Sequence, residues 1–297
     1  MPSKPLVSII ITTYNRSQLL VEAIESVLRQ TYPHVEVLVA DDGSSDNTAA
    51  CVHAVDGPIR YLRLVHTGRP SVTRNRALAQ ARGDLIAFLD DDDLWLPHKL
   101  ARQVELLASD AALGWVYGDF RFLHLDGTQS SPALKPQQRV YGNLWPALLD
   151  DCFIHPSTVM VRRSLLSQTG WFDESLAITE DYDLWLRLAY LAPAGILAEP
   201  LVLVRRHTAG ISQQRVLLSY QNTITVLERA GRNRLTAAER IRLRKTLARM
   251  YAHVGLALAQ SEPHSARRRF LHSLRLNPAQ RRAWQALAAG LRDRWLP

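Results

Sequence analysis

Four consecutive carboxylates, Asp90-Asp91-Asp92-Asp93, follow the apolar run Leu85-Ile86-Ala87-Phe88-Leu89 and precede Leu94-Trp95-Leu96-Pro97. Such a run repels itself severely unless a cation neutralises it. Hard divalent ions such as Mg²⁺ or Mn²⁺ take oxygen ligands and commonly bridge to a diphosphate. A solvated acidic turn is the bland alternative, and the apolar strand before it and Trp95 after it weigh against that. A second acidic turn, Asp41-Asp42-Gly43-Ser44, closes another apolar run. Alone it reads as a polar β-turn. With Tyr14 at a neighbouring strand end, its carboxylate can accept hydrogen bonds from a base or ribose while the ring stacks on the base.

Strands must bring these groups together. Val7 to Thr13 is β-branched and continuously apolar, as a strand buried on both faces should be, which predicts a parallel sheet. Ser17 is placed to cap a helix in which Leu20, Ala23, Ile24, Val27 and Leu28 recur at helical spacing, ending before Pro33. Further strands are expected at Val35 to Ala40, Ile59 to Val65 and Leu85 to Leu89, with a helix over Val72 to Ala81. In open α/β sheets ligands bind beyond the C-terminal strand ends, so the ends of the first, second and fourth strands define one crevice. From Leu113 to Leu203 the pattern is mixed, with strand-like runs at Gly114–His124 and Thr158–Val161 and a helix at Tyr182–Leu191. The fold class is α/β. Beyond Leu217 the composition is Leu, Ala and Arg, a helical module, in which Ala266, Phe270, Ser273 and Pro278, then Trp284 and Leu287, follow a tetratricopeptide-like pattern with Gly255 one residue off register.

The 297 residues, 47% hydrophobic, exclude a disordered or fibrous chain and suit one main domain plus a small one. Two cysteines, Cys51 and Cys152, lack metal-ligand spacing, so neither a disulfide framework nor a zinc site is expected. The stretch Leu188 to Val204 is broken by Pro193, Glu199 and Pro200, and no span of about 20 apolar residues occurs. The expectation is a cytoplasmic protein, peripheral at most to the inner face of a membrane. Of the net charge of +8, residues 1–204 contribute −7 and residues 205–297 contribute +15, so the basic character belongs to the tail.

In order and spacing, Ile11-Thr-Thr-Tyr-Asn-Arg16, Ala40-Asp-Asp-Gly-Ser-Ser-Asp46, Arg74-Asn75 and Leu89-Asp-Asp-Asp-Asp-Leu-Trp-Leu-Pro97 resemble the signature of the family 2 glycosyltransferases. The resemblance covers about residues 5–212. It implies a GT-A fold, a Rossmann-like mixed sheet flanked by helices, with a nucleotide-binding half (1–112) and an acceptor half (113–212), followed by the basic all-helical module (213–297). It implies an inverting, metal-dependent transfer of one sugar from a nucleotide-diphosphate donor to a hydroxyl. Thr12, Tyr14, Asp42, Arg74 and Asp91 fall at nucleotide- or donor-binding positions. Asp90 and Asp92 fit the metal-binding D-x-D spacing, although the run allows two registers. Asp181 of Thr179-Glu-Asp-Tyr-Asp-Leu-Trp-Leu-Arg187 matches the family's general base, whereas an acidic helix N-terminus is the plain alternative for that pair. Glu180 and His155 are acceptor-side candidates, and His207 is a candidate metal or diphosphate ligand.

The Q-x-x-R-W element of processive synthases is absent, since Gln213-Gln214-Arg215-Val216 does not replace it, so single-sugar transfer is expected. The implied acceptors are a surface glycan, a lipid-linked sugar or a protein. The basic tail suits an anionic membrane surface or a partner protein. Nucleic acid is disfavoured because Trp284 and Phe270 fall on apolar helical stripes. Two other classes remain open: a sugar nucleotidyltransferase, for which Thr12-Thr13-Tyr14-Asn15 offers no glycine-rich triphosphate loop, and a non-catalytic nucleotide-sugar-binding scaffold.

Overall fold

β1 (Val7–Thr13) forms the buried spine, every residue but Thr12 shielded from solvent. The computed structural model describes residues 4–206 and 215–292, with side chains to residue 290. After β1 come α1 (Ser17–Leu28), β2 (Val35–Asp41), α2 (Thr48–His53), β3 (Ile59–Arg63), α3 (Pro70–Leu78), β4 (Leu85–Asp90) and β5 (Leu94–Trp95). The second half adds α4 (Lys99–Ser109), β6 (Trp115–Leu123), α5 (Trp145–Asp150), β7 (Met160–Arg162), α6 (Arg163–Thr169), α7 (Glu180–Leu191) and β8 (Ala194–Arg205). One mixed sheet runs β3-β2-β1-β4-β7-β6-β8-β5, its first four strands parallel and β7 antiparallel to β4. Thr12 pairs with both Ala40 and Asp90, so the three strand ends finish level.

One local expectation needs correction. Ser17 does not cap α1 with its side chain: Arg16 is the cap residue, and the Ser17 N–H donates to the Asp46 carboxylate at 3.2 Å. The carboxylate is already negative, so it serves a helix N-terminus better than a hydroxyl does. The proline-interrupted stretch before residue 204 resolves into the end of α7 and the twelve-residue strand β8. Pro200 is tolerated because the β6–β8 register shifts around Asp119, where a missing N–H breaks no regular ladder bond.

The chain divides into two compact units, residues 1–144 with 153–208, and residues 145–152 with 209–297. Thus α5, between β6 and β7 in sequence, groups with the C-terminal helices α8 (Val216–Ala230), α9 (Ala237–Leu258), α10 (Pro263–Leu276) and α11 (Arg281–Arg292). Within that unit Arg242 pairs with the Asp150 carboxylate, and Arg249 donates to the Asp150 carbonyl. Gly255 costs α9 about 1 kcal/mol against alanine, but a Cβ there would lie 2.6 Å from the Phe270 ring. The glycine therefore lets α10 approach, with Ala266, Phe270 and Ser273 fully buried and Ser273 Oγ donating to the Ala248 carbonyl at 2.6 Å. Trp284, expected on an apolar stripe, is instead 56% exposed, its Nε1 donating to the Pro278 carbonyl. No helix among the described residues is long and apolar enough to cross a membrane.

Candidate active site

At the crevice formed by the ends of β1, β2 and β4, carboxylates crowd around two guanidiniums. Arg74, on α3 and only 6% exposed, donates from Nη1 to Glu180 Oε1 at 2.5 Å and from Nη2 to Asp90 Oδ1 at 2.8 Å. One buried cation thereby ties the end of β4 to the N-terminus of α7. Arg16, just before α1, reaches Asp91 Oδ1 at 3.1 Å and Asp92 Oδ2 at 2.7 Å through one nitrogen.

The four aspartates diverge in environment. The Asp90 and Asp92 side chains retain 24% and 20% of their accessibility, whereas those of Asp91 and Asp93 keep 7% and 1%. Burial alone would raise the Asp90 pKa, but Arg74, then His155 and Arg16, hold it below the ordinary carboxylate value. Burial pushes Asp91 up to about 7, with Arg16 opposing and Asp92 adding to the rise. Asp93 is raised by burial and by its neighbours Asp90 and Asp92. It accepts from Ser157 Oγ at 2.6 Å and from the Arg205 N–H at 3.2 Å. Ser157 Oγ also accepts from the Asp90 N–H, so Asp93 and Ser157 lock the β4 end against the chain leading into β7.

Asp181 sits in the first turn of α7 behind Thr179, a non-glycine residue at φ 64°. Such a conformation persists only where its surroundings impose it, and it clusters at functional sites. Burial, then the adjacent Glu180 charge, raises the Asp181 pKa to about 6, with Arg74 opposing. Asp183 faces away and pairs with Arg187.

On the β2 side, Asp42 accepts three hydrogen bonds from the protein. Its Oδ1 accepts from the Thr67 N–H and hydroxyl, both at 3.0 Å, and its Oδ2 from the Gly68 N–H at 2.8 Å, with His66 Nδ1 3.0 Å away. Asp42 thus straps down the loop between β3 and α3. That loop stacks His66 on Tyr14, centroids 4.2 Å apart, and both rings remain about half exposed. Gly43, at φ 81°, is needed for this turn: a Cβ would approach the His66 N–H to 3.0 Å. Thr12 is half-buried on β1 beside Asp90.

Asp90, Asp93 and His155 bring ligand atoms within 4.8 Å of one another. His155 Nδ1 is buried without a hydrogen bond, 3.3 Å from Asp93 Oδ2. Oxygen donors in excess of the local cations, together with an orphaned imidazole nitrogen, fit a divalent ion. His207 lies outside the described residues, as do Gln213 and Gln214.

The structure thus gathers Asp90, Asp91, Asp92, Arg74, Glu180, Asp181 and His155 into one network, while Tyr14 and Asp42 sit with His66 at the adjoining strand ends. Sequence reasoning gave no role to Arg16, His66 or Ser157, and gave Asp93 one only as a member of the aspartate run. Arg16 was visible in the Thr-Tyr-Asn-Arg motif as the basic residue nearest a strand end, and Ser157 in His155-Pro-Ser-Thr. His66 carries no local signal, because its place depends on Asp42, 24 residues earlier. Arg74, expected to approach the donor, spends two donors on protein carboxylates.

A family model described as Glycosyl transferase family 2 matches residues 8–170. An uncharacterized glycosyltransferase of Rickettsia typhi is 33% identical over 211 residues, 69% of this chain and 65% of that protein. The chain spans less than two thirds of the length of the Rickettsia proteins it matches, 40% in the case of one from Rickettsia felis. The Escherichia coli UDP-Glc:alpha-D-GlcNAc-diphosphoundecaprenol beta-1,3-glucosyltransferase WfgD is 36% identical over 184 residues, 62% of this chain and 69% of that protein. Among solved structures, Staphylococcus aureus TarS 1-349 in complex with UDP-GlcNAc superposes with a TM-score of 0.73 at 18% identity, covering 91% of this chain and 81% of that one. A mannosyltransferase of Pyrobaculum calidifontis, PcManGT in complex with GDP-Man and Mn²⁺, gives 0.59 at 20% identity, over 98% and 88%. These likenesses establish the GT-A fold.

Removing the Arg74 bridge leaves Glu180 as a buried, uncompensated charge and takes from Asp90 its ion-pair partner. Arg74→Ala is expected to lower stability by about 3–5 kcal/mol, read as an earlier urea midpoint at pH 7.5. A loss under about 1 kcal/mol would show that the guanidinium does not hold the end of β4 against the start of α7.

Proposed function

Because the chain belongs to glycosyl transferase family 2, we propose that it moves a single sugar from a nucleotide-diphosphate donor to a hydroxyl of a growing glycan, with inversion at the anomeric carbon. The observation that carries this reading is the Asp90–Arg74–Glu180 bridge with Asp181 beside it, which sets a raised-pKa carboxylate against the aspartate run.

In this reading Asp181 accepts the proton of the acceptor hydroxyl as its oxygen attacks the anomeric carbon. The bond to the nucleotide diphosphate breaks on the opposite face, and the diphosphate leaves with its electron pair. A base near 6 is ionised at neutral pH yet still basic enough to draw off the proton. Tyr14 and His66 offer stacked rings at the base end of the crevice, with Thr12 and Asp91 as further donor-side residues at the ends of β1 and β4. Asp42 acts mainly by fixing the loop that holds His66. Of the two registers, the one using Asp90 and Asp92 is favoured, because these two side chains keep access to solvent. They would hold a Mg²⁺ or Mn²⁺ ion with His155 and Asp93 alongside; when bound, it supplies positive charge against the departing diphosphate.

The relatives' names support a lipid-linked or surface glycan as acceptor: WfgD is named for a diphosphoundecaprenol-linked sugar. The C-terminal helices fit such an acceptor through exposed Arg267, Arg268, Arg275, Arg281 and Arg282, which would hold the enzyme at an anionic lipid surface. Co-sedimentation with phosphatidylglycerol vesicles is expected at low salt and should fade as salt screens the charge. Equal recovery with neutral vesicles, or none with either, would remove the membrane role.

Asp181→Asn should reduce transfer about a hundredfold or more while nucleotide binding stays at the wild-type level, and unchanged turnover would refute the base assignment. For the wild type, kcat/KM should fall as pH drops through about 6, where Asp181 becomes protonated. Glu180→Gln removes the like charge that raises Asp181, so this acid limb should move to lower pH. A shift to higher pH would contradict the electrostatic reading.

A further inference from the structure

The residue least explained by the mechanism is Arg16. Its position follows from Asn15, a non-glycine residue at φ 53°. Asn15 is held there by its N–H donating to Ser44 Oγ at 2.8 Å and by its Oδ1 accepting from the Ser45 N–H at 2.7 Å. Asparagine tolerates this left-handed conformation better than most residues, but it still costs energy, and these two hydrogen bonds hold it. The outcome is that the chain turns between β1 and α1 with Arg16 facing the aspartate run. A single nitrogen, Nη1, then bridges Asp91 Oδ1 and Asp92 Oδ2.

One positive centre between two carboxylates of adjacent residues is where a metal ion would also be drawn. Asp92 is half-buried, so an ion on it and a guanidinium 2.7 Å away would repel each other with little water between them. Arginine cannot relieve that repulsion by losing its proton, and the pairing with Asp91 and Asp92 raises its pKa further against the effect of burial. It can only move. Its side chain is one-third exposed and starts at a helix boundary, so it has room to swing.

We infer that Arg16 is a resident counter-cation of the aspartate run, displaced from Asp92 when a divalent ion binds and then paired with the diphosphate of the donor. This rests on the donor-site reading above and adds a residue that couples the two ligands. While the site is empty, Arg16 neutralises Asp91 and Asp92 and so opposes loading by metal alone. When the donor arrives, its diphosphate gives the guanidinium a new anionic partner and releases Asp92 to the ion. Metal and donor therefore favour each other through Arg16, beyond any bond they make directly.

The test is calorimetric and needs no turnover. Mn²⁺ is titrated into the wild type and Arg16→Gln without nucleotide, and inorganic pyrophosphate is then titrated in the presence of saturating Mn²⁺. Arg16→Gln should bind Mn²⁺ alone about fivefold or more tighter, and should bind pyrophosphate more weakly than the wild type does. Mn²⁺ affinity equal to or weaker than wild type overturns the inference. Arg16→Met, which keeps the aliphatic stem, is the second variant should Arg16→Gln melt early, and the same two results are required of it. A wild type that binds neither Mn²⁺ nor pyrophosphate strikes down the donor-site reading and this inference together, whereas a wild type that binds both with unaltered variants strikes down the inference alone.

Discussion

A single buried guanidinium, Arg74, holds the end of β4 against the start of α7. Its two bonds run to the end of β4 and to the first residue of α7, and Asn75 beside it clamps the loop at Phe172 and Glu174. Two adjacent residues of one helix turn thus fasten the end of β4 to the chain that leads into and opens α7. Apolar packing could hold these surfaces together as well, since replacing a buried ion pair by well-packed hydrophobic residues is often neutral or stabilising. A charged seam is expected where the carboxylates themselves are needed for chemistry.

The same constraint explains the spread of carboxylate properties. A run of aspartates at one strand end can fold only if each finds a different compensation. Asp90 takes Arg74, Asp91 and Asp92 share Arg16, and Asp93 is fixed by the Ser157 hydroxyl and the Arg205 N–H. The compensation is incomplete, so Asp91, Asp93 and Asp181 all hold protons more tightly than ordinary carboxylates. A site left short of positive charge is disposed to take up a cation, and a carboxylate left with a raised pKa is disposed to take up a proton. Both follow from burying more anions than cations. The left-handed residues Asn15 and Thr179 lie just before α1 and α7, where the backbone turns into the helices that begin beside Arg16 and Asp181.

Much of this was legible in the residue pattern because the informative elements are local. The β-branched run Val7 to Thr13, the strand Leu85 to Leu89 and the helix Tyr182–Leu191 follow from the apolar pattern, and all three occur, the strand one residue longer and the helix two. The proline-broken strand β8 was not legible, since its pairing depends on a register shift in β6. Nor was the placement of α5 with the C-terminal helices, which depends on contacts about 90 residues away in sequence. Within the site, residue types revealed the acidic run and the Glu180-Asp181 pair but not their connections. That Asp42 would accept from Thr67 and Gly68, or that Arg74 would face Glu180, is a property of loop closure, and no spacing along the chain encodes it.

As proposed, this network is a metal-assisted nucleotide-sugar site. It is tested most directly by melting the purified protein against UDP, GDP, CDP, dTDP and their sugars, with and without Mn²⁺, since a ligand that binds the native state raises its melting temperature. One nucleotide, with its sugar, should raise the melting temperature, and the rise should require Mn²⁺. No rise with any nucleotide, or a rise indifferent to the metal, would contradict the assignment of the aspartate run to a cation and of the crevice to a donor.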